Sequence, residues 1–237
     1  MAASNIELWQ FPPAFGLMNP SPFCMKVEIF LRLAGLPYQC NNGKLPTAAP
    51  KGKLPVLRDG DQLVPDSQAI VAYLQQRYGS QMHPALAAPE TAVQHALRRM
   101  LEEHAYFGAV WLRWVDDPGW AVVKPIFFAK LPPVLRSLVP ALVRRKMRRD
   151  TYGQGIGRHS RHEIVARLCA DLDATAEILG AQPYFAGNDP GAIDACSYAF
   201  LASLLWTPID SPVRTHALRQ SNLVDYAERM KARVGAK

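Results

Sequence analysis

Two helix starts in this 237-residue chain carry residues whose types and spacing could do chemistry. The first is Asp66-Ser67, at the head of a run in which Ile70, Val71, Leu74 and Tyr78 recur at helical spacing until Gly79. Ser67 reads as the N-cap, its hydroxyl satisfying a backbone N–H that the helix leaves free. Exposed N–H groups at such an end attract a carboxylate, and Asp66 beside them can hold an ammonium. That pairing suits the α-amino-acid end of a ligand. The second start is Ser21-Pro22-Phe23-Cys24, with Ser as N-cap and Pro at the first helical position. Between them Pro55 interrupts an apolar strand, where it cannot donate to a ladder and so marks an edge, a bulge or a cis bond. The same residues also fit a plain hairpin and two ordinary capped helices.

The elements that must position these residues follow from the pattern around them. Ile6 to Phe11 alternates as a first strand, and Pro12-Pro13 ends it. After the loop FGLMNP, Phe23, Val27, Phe30, Leu31 and Ala34 mark the buried face of a helix that Gly35 closes. Pro37 to Cys40 is a short second strand. Leu54, Val56 and Leu57 form a third, Asp59-Gly60 is a hairpin signal, and Leu63-Val64 lies on the return strand. The order β-α-β, then β-β-α, implies a small mixed sheet with helices on its faces, the thioredoxin arrangement.

From Val93 onward only helical patterns occur. Val93 to Val115 holds one apolar face for about seven turns, ended by Asp117-Pro118-Gly119. Trp120 to Asp150 is apolar but broken by prolines and by Lys124, Lys130 and Arg136, which reads as a set of short helices packed across the domain or lying in a membrane interface. Ser160 to Glu163 is a capping box opening a helix to Leu179. Ala192 to Trp206 is apolar nearly all round and so buried, with Asp194 in its first turn, and Asn222 to Val234 forms the last helix. The division is thus a thioredoxin-like α/β domain over 1–79, a Pro- and Ala-rich linker over 80–89 and an all-helical domain over 90–237.

Composition excludes several classes. With 49% hydrophobic and 20% charged residues the chain can bury one large core or two modest ones. No secretory leader and no apolar, uncharged stretch of about eighteen residues is present, which leads to the expectation of a soluble cytoplasmic protein. Cys24, Cys40, Cys169 and Cys196 lack paired spacing, against a disulfide framework or a zinc ribbon. His159 and His162 are three apart without a third ligand, so no metal site is expected. The net charge of +7 is concentrated between Arg144 and Arg167, where eight basic residues face two acids. No zinc-finger spacing or aromatic interleaving accompanies that patch, so nucleic acid is not an expected partner.

Ser-Pro-Phe-Cys after strand one, Lys-Leu-Pro-Val-Leu at strand three, Asp-Ser at the next helix and an all-helical second half together resemble the glutathione transferases over nearly the whole chain. PSPFCMKVEIFLRLAGLPY, PKGKLPVL, GQGIGRHSRHEI and the Gly187 to Asp194 segment look like the branch related to failed-axon-connections proteins and metaxins. The resemblance implies roles. Ser21 would hydrogen-bond the glutathione sulfur. Leu54, before a cis-Pro55, would pair with the cysteinyl backbone, Asp66 and Ser67 would hold the γ-glutamyl end, and Lys53 would meet the glycyl carboxylate. Asp194 would be structural, although the family's Ser or Thr three residues earlier is Gly191 here. Glutathione would be a co-substrate, with no other cofactor, and the protein a homodimer.

Three activities fit these residues. One is conjugation of glutathione to hydrophobic electrophiles, the second substrate meeting Tyr106, Phe107 or Trp111, which otherwise fill the core. Another is thiol-disulfide exchange: Ser21-Pro22-Phe23-Cys24 resembles the glutaredoxin Cys-Pro-Tyr-Cys site with its first thiol lost and Cys24 retained. The third is a metaxin-like scaffold or membrane-associated protein without turnover.

Overall fold

Alternating apolar residues and a two-residue turn build a four-stranded sheet in the first part of the chain. The computed structural model describes residues 6–129 and 131–235; residues 1–5, read above against a secretory leader, and Lys130 lie outside the described residues. β1 (Ile6–Trp9) pairs in parallel with β2 (Tyr38–Asn41) through the crossover helix α1 (Pro22–Leu33). β3 (Val56–Asp59) runs antiparallel to β1, and β4 (Gln62–Pro65) antiparallel to β3, giving the order β2-β1-β3-β4. The hairpin loop is Gly60-Asp61, one residue later than the Asp-Gly signal suggests. Gly60 supplies the positive φ of +58° that the tight turn requires. α2 (Ser67–Tyr78) then covers the sheet together with α1.

The rest is helical. The segment expected to be a linker carries a 3-10 turn at Gly79–Gln81 and the one-turn helix α3 (Pro84–Ala87), tied down by buried Leu86. The long apolar stripe after it is α4 (Ala92–Arg99) and α5 (Tyr106–Trp114), joined by a π-helical stretch over Met100–Ala105. Asp117-Pro118 starts α6 (Asp117–Phe128) rather than ending a helix, since Pro fits a first turn. The proline-broken region is two helices, α6 and the 20-residue α7 (Leu135–Gln154), with Pro125 and Pro140 inside them. α8 (Arg161–Leu179) begins at the capping box, Ser160 Oγ accepting from Glu163 N and Glu163 accepting from Ser160 N. α9 (Ala192–Leu205) is buried on nearly every side. α10 (Pro212–Arg219), which periodicity did not reveal, and α11 (Ser221–Val234) complete the chain.

One apolar core joins both halves, with Phe30 and Leu31 of α1 in the same cluster as Tyr198 and Ala199 of α9. At its centre Asp194 is fully buried, and its carboxylate accepts three backbone N–H groups: Phe185 at 2.8 Å, Gly191 at 2.9 Å and Ala186 at 3.1 Å. Burial pushes this carboxyl up to about 6 against the pull of those donors. Gly191 is dictated by space, because a Cβ there would stand 2.7 Å from Ala186 Cβ and 2.9 Å from the Ala85 carbonyl oxygen. A serine or threonine cap cannot fit without moving the backbone. Asp194→Ala should therefore cost about 3 kcal/mol or more in chemical denaturation, since it strands three donors, two of them buried; a loss below about 1 kcal/mol would mean that another group takes over the donors.

Candidate functional site

Strand register brings the residues singled out above to one end of the sheet. Trp9 at the end of β1 pairs with Val56 at the start of β3, which pairs with Pro65 at the end of β4. The loop leading to Ser21, the Leu54-Pro55 bond and the Asp66-Ser67 corner therefore leave the sheet from the same edge. Trp9, Cys24, Leu54 and Val56 pack as one buried cluster, so the first turn of α1 rests on the residue before Pro55. The Leu54-Pro55 bond is cis.

At the first corner Ser21 caps α1, and its half-buried Oγ accepts the Cys24 N–H at 3.4 Å, a long bond; the hydroxyl also bonds the Cys24 side chain, pulling against the upward push of burial on that thiol. Its position is fixed by Asn19, which the sequence reading passed over. Asn19 is fully buried, donating to the Phe11 carbonyl at 2.7 Å and accepting from Ser21 N at 3.0 Å, so it clamps the long loop at both ends. Its only signal in the sequence is an Asn-Pro dipeptide, a common turn starter.

At the second corner the cap is Asp66, not Ser67 as expected. Asp66 Oδ1 accepts from Gln68 N at 3.0 Å and Ala69 N at 3.1 Å, so the carboxylate, one atom longer than a hydroxyl, bridges two free donors. The backbone takes φ +85° and ψ 129° there, outside the left-handed helical well that Asp tolerates, so the corner is strained. Ser67 becomes the first helical residue; it is buried, and neither its N–H nor its hydroxyl has a partner among the described residues. The helix end thus keeps an unused N–H, a hydroxyl and one carboxylate oxygen of Asp66. Leu54 is buried, whereas Lys53 is exposed with no ion pair among the described residues.

Next to Asp66-Ser67 a buried ionic chain links the two halves. Lys26 Nζ, 1% exposed, lies 2.7 Å from Gln68 Oε1 on α2 and 2.7 Å from Glu102 Oε1 in the π-helical stretch. Glu102 Oε2 meets Arg98 at 3.1 Å, and Arg98 is held bidentately by Glu90 at 2.7 and 3.0 Å.

Beside Ser21 lies a cavity whose lining includes Pro22, Tyr106, Val110, Arg113, Phe200 and Ser203. Of the aromatics expected at a second substrate site, Tyr106 lines it. Phe107 and Trp111 pack against the core without lining the cavity, Phe107 meeting the Tyr106 ring edge to face at 5.2 Å. Phe23, Tyr106 and Phe200 meet edge to face at 4.8 to 6.3 Å, giving a firm aromatic wall.

Cys24 does not suit thiol-disulfide exchange. It is fully buried, and desolvation pushes its thiol up to about 12, so almost no thiolate exists at neutral pH. Among the described residues no group of three or more His, Cys, Asp and Glu side chains could hold a metal ion, and no helix is long and apolar enough to cross a membrane.

Comparison with known proteins gives this arrangement its class. The fold is a thioredoxin-like domain joined to an all-helical one, and it superposes with a TM-score of 0.67 on a glutathione transferase from Phanerochaete chrysosporium, at 18% identity and with 98% of each chain covered. A glutathione S-transferase III structure matches at 0.63 and 20% identity, covering 98% of this chain and 97% of the other. The family models for the glutathione S-transferase N-terminal and C-terminal domains match residues 22–119 and 168–230. Isoprene-epoxide glutathione S-transferase of Rhodococcus sp. (strain AD45) is 31% identical, with 95% of this chain and 98% of the relative covered. Failed axon connections of Drosophila melanogaster is 31% identical over 95% of this chain and 57% of its own length, and Metaxin-3 of Xenopus laevis 27% over 94% and 74%. The chain belongs to the glutathione S-transferase superfamily.

The environment of Cys24 has a direct test. Iodoacetamide at pH 8 should leave it unmodified in the native protein and alkylate it once the protein is unfolded, as read by peptide mass spectrometry; native-state labelling within minutes would contradict the burial described.

Proposed function

We propose that the protein is a glutathione transferase that joins glutathione to hydrophobic electrophiles. What supports this best is the register from Trp9 to Val56 to Pro65, which sets a hydroxyl at one helix start opposite an acidic residue and free donors at another. Glutathione has complementary groups in the same order. Its γ-glutamyl carboxylate suits the Ser67 N–H and hydroxyl, its ammonium the free oxygen of Asp66, and its cysteinyl backbone the Leu54 peptide. Lys53, exposed beside them, meets the glycyl carboxylate. The sulfur then falls at Ser21.

A free thiol of pKa about 8.5 is mostly protonated at neutral pH. The Ser21 hydroxyl and the N-terminus of α1 both favour the thiolate and raise the attacking fraction without Ser21 becoming a nucleophile. No cofactor beyond glutathione as co-substrate is invoked. The Rhodococcus relative, whose name specifies isoprene epoxide, makes small epoxides the first electrophiles to try. We further propose that it is a homodimer, as the family resemblance implies, and that it works in the cytoplasm.

Ser21→Ala should lower kcat/KM for conjugation about 10- to 100-fold, the worth of one hydrogen bond to a charged group, with much less change in glutathione affinity. Asp66→Ala should do the reverse, weakening retention on immobilised glutathione. If both variants conjugate as the parent does, the assigned pocket is wrong.

A second reading, a membrane-associated scaffold without turnover, is favoured by α7. Leu135, Leu138 and Leu142 are exposed there and continue at helical spacing into Arg145 and Arg149, a stripe that is apolar at one end and basic at the other. On this reading the protein co-sediments with phosphatidylserine vesicles, and Leu138→Glu with Leu142→Glu abolishes it; no co-sedimentation at low salt removes the reading.

A further inference from the structure

The cavity beside Ser21 is lined by apolar residues and by Tyr106, Arg113, Ser203, Thr207 and Ser211; the hydroxyls of Thr207 and Ser211 already bond the Ser203 carbonyl and the Arg214 N–H, whereas the other three side chains are not balanced. Arg113 of α5 donates from Nη1 to the Pro20 carbonyl at 2.8 Å and from Nη2 to Thr207 Oγ1 at 3.2 Å. A guanidinium has five N–H donors, so three remain. No carboxylate lies within 4 Å of it among the described residues; its nearest aromatic companion is the Phe15 ring, 5.4 Å from the guanidinium carbon. Ser203 lines the same cavity, is 9% exposed, and its Oγ has no hydrogen-bond partner. The Tyr106 hydroxyl also has none among the described residues. Buried polar groups are normally satisfied, so an unpartnered hydroxyl and a cation without a counter-charge that line one cavity mark a place where a ligand supplies the acceptor.

We infer that Arg113 and Ser203 form an oxygen-binding subsite for the electrophile, so that this cavity selects compounds in which attack by sulfur drives an electron pair onto an oxygen atom. The inference rests on the transferase reading and specifies its second substrate. In an epoxide the glutathione thiolate attacks a ring carbon, the S–C bond forms as the C–O bond breaks, and the electron pair moves to oxygen. The resulting alkoxide takes one proton from water, replacing the proton that the thiol gave up, so the reaction is a net addition. Charge develops where Arg113 and Ser203 can donate to it, and fixed donors aimed at developing charge stabilise a transition state more than a ground state.

The location fits this use. Arg113 grips the carbonyl of Pro20, the residue before Ser21, and Pro22, the residue after it, lines the cavity. The oxygen subsite and the sulfur position are thereby held to the same three residues. Burial lowers the Arg113 guanidinium to about 10, which still leaves it cationic at neutral pH.

The test compares matched substrates and ligands. Styrene oxide and benzyl chloride, both benzylic electrophiles, differ in whether an oxygen takes up the charge. The ratio of their kcat/KM values should fall roughly 30-fold in Arg113→Met and be partly restored in Arg113→Lys. It should fall about 5-fold in Ser203→Ala, a milder change than loss of the cation. An equal loss toward both substrates would overturn the subsite and leave Arg113 as a clamp on the Pro20 loop. A binding measurement separates this inference from the transferase reading. By titration calorimetry the parent protein should prefer S-(2-hydroxy-1-phenylethyl)glutathione to S-(1-phenylethyl)glutathione by about 10-fold, the worth of one charged hydrogen bond, and Arg113→Met should erase the preference. Equal affinities in the parent refute the subsite even if conjugation proceeds. A clear preference without any conjugation supports the subsite while removing the transferase reading.

Discussion

Lys26 is the joint on which the two halves of the protein turn. Its ammonium is removed from water and held by Gln68 on one side and Glu102 on the other, so a single side chain ties α1, the head of α2 and the helical half together. A buried charge is tolerated only when its partners are in place, and removing one partner costs more than the pair contributes. The geometry is therefore self-enforcing. Glu102 needs Arg98 as well as Lys26, Arg98 needs Glu90, and the chain of charges ends near the surface in the segment between α3 and α4. Because Gln68 directly follows Ser67, any shift between the halves is felt at the Asp66 corner.

The site divides its labour between the halves. One end of the sheet offers polar groups suited to a peptide-like ligand, while α5 and α9, with Phe23 of α1, provide an aromatic wall and, among apolar residues, a cation. Two side chains, one fully buried and one partly buried, connect these regions. Asn19 fixes the loop before Ser21 from below, and Arg113 holds the Pro20 carbonyl from the helical side. The hydroxyl at Ser21 is thus placed by residues from both halves, although none of them belongs to a recognisable motif.

Much of this was legible in the sequence because the signals were local. Strand alternation, the Ser-Pro helix start, the Ser160 capping box and Gly35 as a stop each depend on a few neighbouring residues, and the folded chain follows them closely. Asp66 and Ser67 exchanged places at the cap because both types compete for that position, and only the backbone, at φ +85°, decides. What the sequence hid was long-range. Arg113 sat within an amphipathic stripe like any other polar residue, and its contacts lie 93 and 94 positions away. Nothing near Lys26 in the sequence marks it, because its partner Glu102 lies 76 positions on. α10 went unread because eight residues behind a proline give too short a pattern to stand out.

The wide turn at Met100–Ala105 separates two jobs done by one rod of helix. Upstream of it Arg98 faces the ionic chain, and downstream Tyr106 and Arg113 face the cavity. Each residue of a helix advances the direction of its side chains by about 100°, so the extra residue of a π-turn sets the phase between the docked and the lining portions. Gain or loss of one residue there would swing a fresh set of side chains into the cavity while the docked portion stayed seated. The lining of the cavity can thus change by a shift of helical phase, with no substitution in the half that carries Ser21 and Asp66.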